Sequence, residues 1–410
     1  MRAVCFSERR EIEMQGPVLK NALTFGDVDG DGEVELVVGN ESGELSIFKD
    51  SSNPSKPWYQ TTGLKMISAI GVGKLIEEAK NTLVVVSGDG WCHILLPGAA
   101  PSCPPDVALG CDNNMHVAHI QCIPPNTHCI FLGDIDGDGQ IELVVGLTDR
   151  VVRSYRWQRD PDSTVPGEGK LVSLNKWEAA CQVSSVSLGR EIGGQPSILV
   201  SQPGGTLLKI MCTTNQYAAL DNSLDEAVST SKINHCTLSS NRFIKSLNLS
   251  TEIVGMIQTA KSTGDKGSPY AVAVTDGNLL LAQDDNILWS MQLKKQLFCI
   301  TKLDITGDGN DEIVVCSWDG QTFILGQDSI SVRFQFEESV AAFTAGLFGK
   351  NSRPCFAYST FNEKLVLFPN IEIQHLQART VDHFMCSKFP NLSKEERRLL
   401  VQKSLYGVKK

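Results

Sequence analysis

The sequence lacks the long apolar runs and the excess of basic residues that several protein classes require. No stretch approaches roughly 18 consecutive apolar residues, which argues against a membrane-spanning helix. The first 14 residues contain no continuous apolar segment, so we expect no signal peptide. Lysine and arginine number 37 against 47 aspartates and glutamates, a net charge of −10. This balance argues against nucleic acid or an anionic membrane as the direct partner. We therefore expect a soluble protein.

Common catalytic motifs are also missing. The sequence has no G-x-S-x-G nucleophile elbow, no H-E-x-x-H zinc motif and no Walker phosphate loop. The sequence therefore offers no candidate catalytic or organic-cofactor residues from these motifs.

Cysteine is plentiful but follows no disulfide pattern. Thirteen cysteines, an odd number, are scattered from Cys5 to Cys386. Without a signal peptide, this favours reduced thiols buried as small apolar side chains. One stretch is dense in possible zinc ligands, although its spacing is irregular and it contains no Cys-x-x-Cys pair, so zinc is the weaker alternative to loop and core thiols. These residues are Cys92, His93, Cys103, Cys111, His116, His119, Cys122, His128 and Cys129.

An internal repeat organises most of the chain. Each copy has an apolar strand, a turn-rich loop, a Val-rich strand, a polar turn and an alternating strand. Three copies are clear, at Leu23–Phe48, Ile130–Tyr155 and Cys299–Leu325. Four are weaker, at Ala69–Leu95, Val186–Ile210, Ile253–Ala282 and Ala342–Phe368. A further strand-like run with an aromatic residue precedes several copies, which gives about four strands per repeat.

Four-stranded antiparallel repeats at this spacing are typical of propeller blades. One small twisted sheet cannot bury both faces alone, whereas sheets stacked around a ring bury one another. We therefore predict an all-β fold, a seven-bladed β-propeller over residues 1–370. An open array of β-sandwiches is the alternative. The polar segments Asp160–Lys170 and Asn215–Ser246 are interpreted as surface loops.

The two ends of the repeat region predict how the ring closes. Repeat seven supplies only three strands, so we expect Ala3–Met14 to form the outer strand of the last blade. Residues 371–410 form a C-terminal tail with a predicted helix over residues 393–406. Ser393 and Glu396 make a capping box at its start, and Gly407 follows its end. The helix either packs on the ring or docks a partner, and the sequence leaves both roles open.

Acidic loops in the three clear repeats carry the most specific chemistry. Loops one and two follow the pattern D-x-D-G-D-G-x-x-E, and loop three has the same spacing with a threonine hydroxyl in place of the acid at position three. Side chains at positions one, three, five and nine and a backbone carbonyl at position seven can surround one Ca²⁺. Glycine at position six (Gly32, Gly139 and Gly309) permits the sharp bend. The predicted metal ligands are Asp27, Asp29, Asp31, Glu33 and Glu35 in loop one; Asp134, Asp136, Asp138, Gln140 and Glu142 in loop two; and Asp304, Thr306, Asp308, Asn310 and Glu312 in loop three.

Calcium is predicted because clustered carboxylates repel one another unless a cation neutralises them. We expect one structural Ca²⁺ in each loop, with Mg²⁺ as a weaker possibility. An EF-hand is excluded, since position twelve is a valine in a strand-like run and not a glutamate. The alternative is a tight turn in which each aspartate bonds only its own backbone.

The repeat resembles the FG-GAP repeat of integrin alpha-chain propellers, with Phe25–Gly26 just ahead of the first acidic loop. More closely, the chain is similar to the FG-GAP repeat family of KICSTOR subunits. The similar motifs are DIDGDG with ELVVG and TDRVVR (Asp134–Arg153), LVSLNKW (Leu171–Trp177), SQPG (Ser201–Gly204), WDGQTFI (Trp318–Ile324) and LLVQKSLY (Leu399–Tyr406). The missing span, leg domains and signal peptide argue against an integrin ectodomain.

This resemblance implies a non-enzymatic scaffold. Members of the family join other KICSTOR subunits, including kaptin, and the assembly recruits the GATOR GTPase-activating complex to the lysosome. There it restrains nutrient signalling to mTOR complex 1. The implied location is cytoplasmic and peripheral at the lysosomal membrane, through partners and without insertion. Two alternatives stay open: a calcium-dependent adhesion or lectin-like propeller, and an enzyme whose groups converge on the central channel.

Overall fold

The computed structural model describes residues 2–50, 56–77, 81–98, 115–161, 168–212, 232–237, 249–259, 266–284, 286–375, 392–393 and 395–400. These residues form thirty β-strands and one short helix over residues 395–400. No helix among them is both long and apolar enough to cross a membrane.

The strands form seven antiparallel four-stranded sheets, each a blade of a β-propeller, and one two-stranded sheet. Before the first blade come β1 (Arg2–Phe6) and β2 (Arg10–Glu13). Blade one contains β3 (Val18–Gly26), β4 (Glu35–Asn40), β5 (Leu45–Phe48) and β6 (Tyr59–Thr61). Blade two contains β7 (Ile67–Gly73), β8 (Thr82–Ser87), β9 (Trp91–Pro97) and β10 (Met115–Cys122). Blade three contains β11 (Thr127–Gly133), β12 (Glu142–Leu147), β13 (Val151–Arg159) and β14 (Gly169–Glu178).

The remaining blades follow the same order. Blade four contains β15 (Ser185–Arg190), β16 (Pro196–Gln202), β17 (Thr206–Met211) and β18 (Lys232–Thr237). Blade five contains β19 (Thr251–Val254), β20 (Tyr270–Val274), β21 (Asn278–Gln283) and β22 (Asn286–Gln292). Blade six contains β23 (Leu297–Leu303), β24 (Glu312–Ser317), β25 (Gln321–Leu325) and β26 (Ser331–Gln335). Blade seven contains β27 (Val340–Phe348), β28 (Arg353–Thr360) and β29 (Lys364–Pro369), and β30 (Ile371–His375) follows it.

The inner strands close the ring. The first strand of each blade contacts the first strand of the next, and β27 of blade seven contacts β3 of blade one. The predicted seven-bladed propeller is therefore confirmed. The second strands β4, β12 and β24 are buried along their whole length, because each lies between two neighbouring blades. This position explains why their sequences are continuous apolar runs and do not alternate.

Apolar contacts between blades form the core. Between blades one and two, Val37 and Ile47 belong to the same buried cluster as Ile67 and Val85. Between blades six and seven, the Phe336 and Tyr358 rings stack with their centroids 4.6 Å apart. The Tyr358 hydroxyl also shares a hydrogen bond of 2.8 Å with Thr322 Oγ1, which satisfies a polar group in the interior.

The fourth strand of blade seven comes from the N-terminal segment. β2 pairs antiparallel with β29, from Arg10 opposite Leu367 to Glu13 opposite Lys364. The closing strand is shorter than the predicted Ala3–Met14, because β1 instead pairs with β30 in the separate two-stranded sheet. The chain also divides into two compact units, residues 6–372 and residues 1–5 with 373–410.

One sequence interpretation is wrong. The segment Asn215–Ser246 was expected to be a surface loop, yet β18 (Lys232–Thr237) within it is the fourth strand of blade four. It pairs with β17 along its whole length. An outer strand has a neighbour on one side only and needs few apolar residues, so its polar sequence concealed it. Similarly, β14 begins at Gly169, inside the predicted loop Asp160–Lys170.

The tail begins its helix as predicted. The Ser393 N–H donates to Glu396 Oε2 at 2.8 Å, and the Glu396 N–H donates to Ser393 Oγ at 3.3 Å. These two bonds are the capping box. The structure shows helix over residues 395–400. The rest of the predicted helix and Gly407 lie outside the described residues.

Close approach of neighbouring blades gives one stability prediction. A Cβ atom at Gly39 would lie 2.6 Å from Cγ2 of Ile67 in blade two, so there is no room for a side chain. We expect Gly39→Ala to lower the free energy of unfolding by about 1–3 kcal/mol, measured by urea denaturation. Glu41→Ala, in the exposed turn that follows, is the control and should change it little. Equal midpoints for both variants would contradict the packing argument.

Candidate functional sites: acidic loops, channel and exposed aromatic residues

The three acidic loops occupy the same place in three blades. They connect the first strand to the second in blades one, three and six. Because strand direction repeats from blade to blade, all three loops lie on one face of the ring. Glu35, Glu142 and Glu312 each begin a second strand. The loops therefore join strands, in agreement with the exclusion of an EF-hand.

Backbone N–H groups donate hydrogen bonds to the first carboxylate of each loop. Asp27 accepts hydrogen bonds from the Gly30 N–H at 2.6 Å and the Gly32 N–H at 3.1 Å, one on each carboxylate oxygen. Asp134 and Asp304 make the equivalent bonds at distances of 2.6–2.9 Å. The glycine at position six has a φ of +81° to +88° in all three loops, which only glycine adopts freely. The predicted sharp bend is therefore confirmed.

The last acid of each loop also binds the backbone. Oε2 of Glu35 accepts the Val28 N–H at 2.8 Å, Glu142 accepts the Ile135 N–H at 3.1 Å, and Glu312 accepts the Ile305 N–H at 2.8 Å. The N–H groups of the position-seven residues Glu33, Gln140 and Asn310 donate to the position-five aspartates at 2.7–2.9 Å. Metal ligation by the carbonyls of these position-seven residues stays a prediction.

A lysine lies among the carboxylates of loop one. Lys49 follows β5, and its Nζ is 2.7 Å from Asp29 Oδ2, 2.7 Å from Asp31 Oδ2 and 3.1 Å from Glu35 Oε1. The lysine side chain is only 6% exposed, and its ammonium lies 4.6 Å from the centre of the Trp58 ring. The cation that the clustered acids require is therefore present within the chain.

An arginine occupies the same place in loop two. Arg156 of β13 contacts Asp136 at 3.3 Å, Asp138 at 2.8 Å and Glu142, to whose Oε1 its Nε donates at 2.7 Å. The side chains of Asp136 and Glu142 are fully buried, so their charges have little access to solvent. Arg156 supplies the opposite charge that a buried carboxylate needs.

Loop three reduces the repulsion between its carboxylates in a different way. Thr306 replaces the acid at position three, and its Oγ1 donates to Glu312 Oε1 at 3.1 Å. The hydroxyl turns a carboxylate–carboxylate contact into a hydrogen bond. Gly326 follows the last acid of loop three by fourteen residues, the spacing that separates Lys49 and Arg156 from the last acids of loops one and two.

Protonation in these loops follows burial and the internal cations. Burial raises the pKa of Glu35 to about 7, against the lowering effect of the Val28 N–H and the Lys49 ammonium. Burial likewise raises the pKa of Glu142 to about 7, although the Ile135 N–H and Arg156 lower it. Burial opposes the charge on Lys49, yet hydrogen bonds to Asp29 and Asp31 leave its pKa raised.

The fit of the loops to calcium is mixed. In loop one, oxygen atoms of Asp27, Asp29 and Glu35 lie within 4.8 Å of one another. In loop two, oxygen atoms of Asp134, Asp136 and Glu142 do the same. Each group of oxygen ligands suits a hard cation. In both loops, however, a basic side chain already contacts two of the three grouped acids. The carboxylate oxygens therefore suit Ca²⁺ as ligands, but basic side chains already neutralise part of their negative charge.

The cysteine- and histidine-rich stretch does not assemble into a zinc site among the described residues. Its members are spread over β9, β10 and β11, and no group of potential metal ligands in the described part of the chain includes them. Cys92 and Cys129 are buried and have raised thiol pKa values, to about 12, because burial disfavours the thiolate. Cys103 and Cys111 lie outside the described residues.

Three ionisable groups converge on the central channel, as an enzymatic alternative requires. Lys20, His128 and Glu252 line a cavity of about 600 Å³ between the inner strands. Lys20 forms an ion pair with Glu252 across the channel. His128 Nε2 contacts the Ser184 carbonyl at 3.0 Å, and burial, reinforced by the Lys20 charge, lowers its pKa. The Lys20–Glu252 ion pair and the His128 contact join separate segments around the channel, an arrangement that favours a structural role.

An aromatic ridge lies on the opposite face, and sequence reasoning missed it. It consists of Phe298, Trp318 and Phe361 from blades six and seven. Phe298 and Trp318 stack with centroids 4.0 Å apart, and Phe361 lies 6.1 Å from Trp318. Trp318 is 39% exposed and Phe361 59%. Both lie in turns between second and third strands, where an aromatic residue is the only signal in the sequence.

Comparisons with known proteins agree with this architecture. The protein family described as Integrin-alpha FG-GAP repeat-containing protein 2 matches residues 49–373. The chain is 38% identical over 395 residues to the KICSTOR complex protein ITFG2 of Mus musculus, covering 92% of this chain and 87% of the relative. It is 36% identical over 391 residues to the KICSTOR complex protein ITFG2 of Bos taurus, covering 92% of this chain and 73% of the relative.

Solved structures support the fold alone. A chain of the mercury-soaked crystal structure of BBS1N in complex with ARL6DN is similar with a TM-score of 0.57 and 14% identity, covering 92% of this chain and 98% of that one. The WD40 beta propeller domain of Doa1 is similar with a TM-score of 0.51 and 11% identity, covering 92% and 99%. Such identities carry no functional argument, since one fold serves many functions.

Proposed function

The chain belongs to the integrin-alpha FG-GAP repeat-containing protein 2 family, and we propose that it is a subunit of a KICSTOR complex. The observation that supports this most directly is similarity to relatives named KICSTOR complex protein over 92% of the chain. The closed ring of blades is consistent with such a role, because a propeller presents two broad faces on a rigid core.

In this proposal the protein is a non-enzymatic scaffold. It joins other KICSTOR subunits, including kaptin, and the assembly recruits the GATOR complex to the lysosome and restrains nutrient signalling to mTOR complex 1. Two observations support a scaffold over an enzyme. In the channel, Lys20 pairs with Glu252 and His128 Nε2 contacts the Ser184 carbonyl. In loops one and two, acids pair with a basic residue of the same blade.

The aromatic ridge is the surface that we propose for the contact with another subunit. Exposed tryptophan and phenylalanine side chains are unusual on a free surface and are enriched in the energetic centres of protein interfaces. Trp318 and Phe361 protrude from adjacent blades, and Trp318 stacks on the buried ring of Phe298, which holds it in place. A partner that buries this surface would recover the hydrophobic free energy of at least two large side chains.

Affinity purification from cells, followed by mass spectrometry, tests the proposal. The tagged chain should recover KICSTOR subunits including kaptin. The double change Trp318→Ala and Phe361→Ser should reduce that recovery about tenfold or more, as expected when interface hot spots are removed. Ile192→Ser is the control, because Ile192 is 64% exposed but lies in a loop on the opposite face.

The two parts of the proposal fail differently. Absence of every KICSTOR subunit from the wild-type purification would contradict membership of the complex. Normal recovery with the double variant would contradict only the assignment of the ridge.

Calcium stays a prediction separate from this function. Loop three is where a structural ion is easiest to accommodate, because Gly326 has the sequence spacing from the last acid that Lys49 and Arg156 have in loops one and two. A calcium-dependent adhesion role is disfavoured, since basic side chains already neutralise part of the charge in two of the three loops.

A further inference from the structure

Acidic loops one and two share a basic residue at one position of the repeat. This residue is in the third strand of the blade or directly after it, opposite the last acid of the loop, which begins the second strand. The strand register pairs Glu142 with Arg156. Continuing the β4–β5 and β24–β25 registers by one residue, beyond Leu36–Phe48 and Ile313–Leu325, places Lys49 opposite Glu35 and Gly326 opposite Glu312. The basic residue is present in the two loops with four carboxylates at positions one, three, five and nine. Gly326 is present in the loop that has only three. A basic residue thus accompanies four acids and is missing where there are three, which indicates that its charge compensates the fourth acid.

The geometry of Lys49 is that of an ion held by several ligands. Its Nζ lies 2.7 Å from Asp29 and Asp31 and 3.1 Å from Glu35, so one charge serves three carboxylates. Ca²⁺ binds carboxylate oxygens at about 2.3–2.6 Å. An ammonium and a calcium ion cannot both contact the same oxygen atoms at these distances, because the two cations would repel each other strongly.

The position-one acids are held by the backbone in the same way in all three loops, so the difference between the loops lies in the basic residue. In a calcium loop the first aspartate is a metal ligand. Here Asp27 and Asp134 each use both carboxylate oxygens to accept backbone N–H groups of their own loop. The loop conformation is thus maintained by glycine amides and by the internal cation together.

From these observations we propose that Lys49 and Arg156 hold the place of a metal ion in loops one and two, so that these loops fold without one. In this proposal, the acids at positions three, five and nine contact a basic side chain of the same blade and not a metal ion. Removing the ammonium from loop one leaves its acids arranged to accept a divalent cation in its place.

Melting temperatures in chelator and in millimolar Ca²⁺ test the proposal. All variants carry Asp308→Ala, which weakens loop three and limits the test to loops one and two. The Asp308→Ala chain should melt within about 1 °C in both conditions. Adding Lys49→Met should lower the melting temperature in chelator, and Ca²⁺ should then raise it by about 4 °C or more through binding to the folded state. Arg156→Met repeats the test independently in blade three.

Terbium luminescence gives a second measurement that works on a less stable protein. Trp58 lies beside the Lys49 ammonium and can sensitise a lanthanide ion bound in loop one. Lys49→Met should show sensitised emission that Ca²⁺ displaces. Lys65→Met is the matched control, because Lys65 pairs with Asp89 on the exposed surface, remote from the loops.

Two results would overturn the proposal. One is stabilisation of the Asp308→Ala chain by Ca²⁺ that disappears when Asp31→Ala is added, since loop one would then hold a metal despite Lys49. The other is the absence of any response to Ca²⁺ or terbium in both the Lys49→Met and the Arg156→Met proteins.

Discussion

A chain that begins at Gln15 should unfold far more easily than the full protein, with a loss of about 4 kcal/mol or more. This truncation removes β2, the outer strand of blade seven. Ile12 and Met14 are buried in the cluster that joins blades seven and one, and burial of such side chains contributes about 1.5–3 kcal/mol each. The truncation also exposes the unpaired edge of β29, so aggregation should increase.

Removal of residues 1–5 is the matched control for this experiment. It eliminates most of β1 but leaves β2 and also Phe6, whose ring lies 4.4 Å from Phe334 and 4.9 Å from Phe368. Urea denaturation of the three proteins measures the effect. If the chain that begins at Gln15 is as stable as the one that begins at Phe6, β2 contributes nothing to the free energy of unfolding.

Arg156→Ala should be the most damaging single charge removal in blade three. It leaves the buried carboxylates of Asp136 and Glu142 without their cation. Removing one partner of a buried ion pair typically costs about 3–5 kcal/mol, because the remaining charge cannot be solvated. Chemical denaturation in chelator measures the loss free from any contribution of a metal ion.

An exposed ion pair provides the comparison. Lys65 and Asp89 are 63% and 39% exposed, so Lys65→Ala should cost at most about 1 kcal/mol. Arg156→Lys retains the charge and should recover part of the loss. Equal stabilities for Arg156→Ala and Lys65→Ala would show that solvent screens the loop carboxylates and that no internal cation is needed.

The sequence predicted the elements whose pattern is set locally. The strands β4, β12 and β24 follow from apolar runs after an acidic loop, and the bends follow from glycine at position six. Outer strands are harder to predict, because their exposed edge tolerates polar residues. The strand β18 was therefore missed inside a segment that had been interpreted as a loop.

The internal cations could not be predicted from the loops alone. Lys49 and Arg156 each follow the last acid of their loop by fourteen residues, and only the pairing of the second and third strands brings them together. The signal was present as a basic residue at the same offset in two repeats and Gly326 in the third. It required the strand register, which cannot be read from alternating apolar and polar residues when the second strand is buried on both faces.

The aromatic ridge escaped prediction for a related reason. Trp318 and Phe361 belong to turns of different blades, 43 positions apart, and their proximity depends on how blades six and seven stack. In sequence, each is one more aromatic residue beside a hairpin turn. Only the closed ring makes them one surface.

Reconstitution from purified components tests the central proposal, membership of a KICSTOR complex, most directly. The chain and the other KICSTOR subunits, including kaptin, are mixed at micromolar concentration and analysed by size-exclusion chromatography with light scattering. We expect one co-eluting assembly whose mass includes this chain, and a loss of the chain from that assembly when Trp318→Ala and Phe361→Ser are combined. Separate elution of the folded wild-type chain under the same conditions would contradict the proposed function.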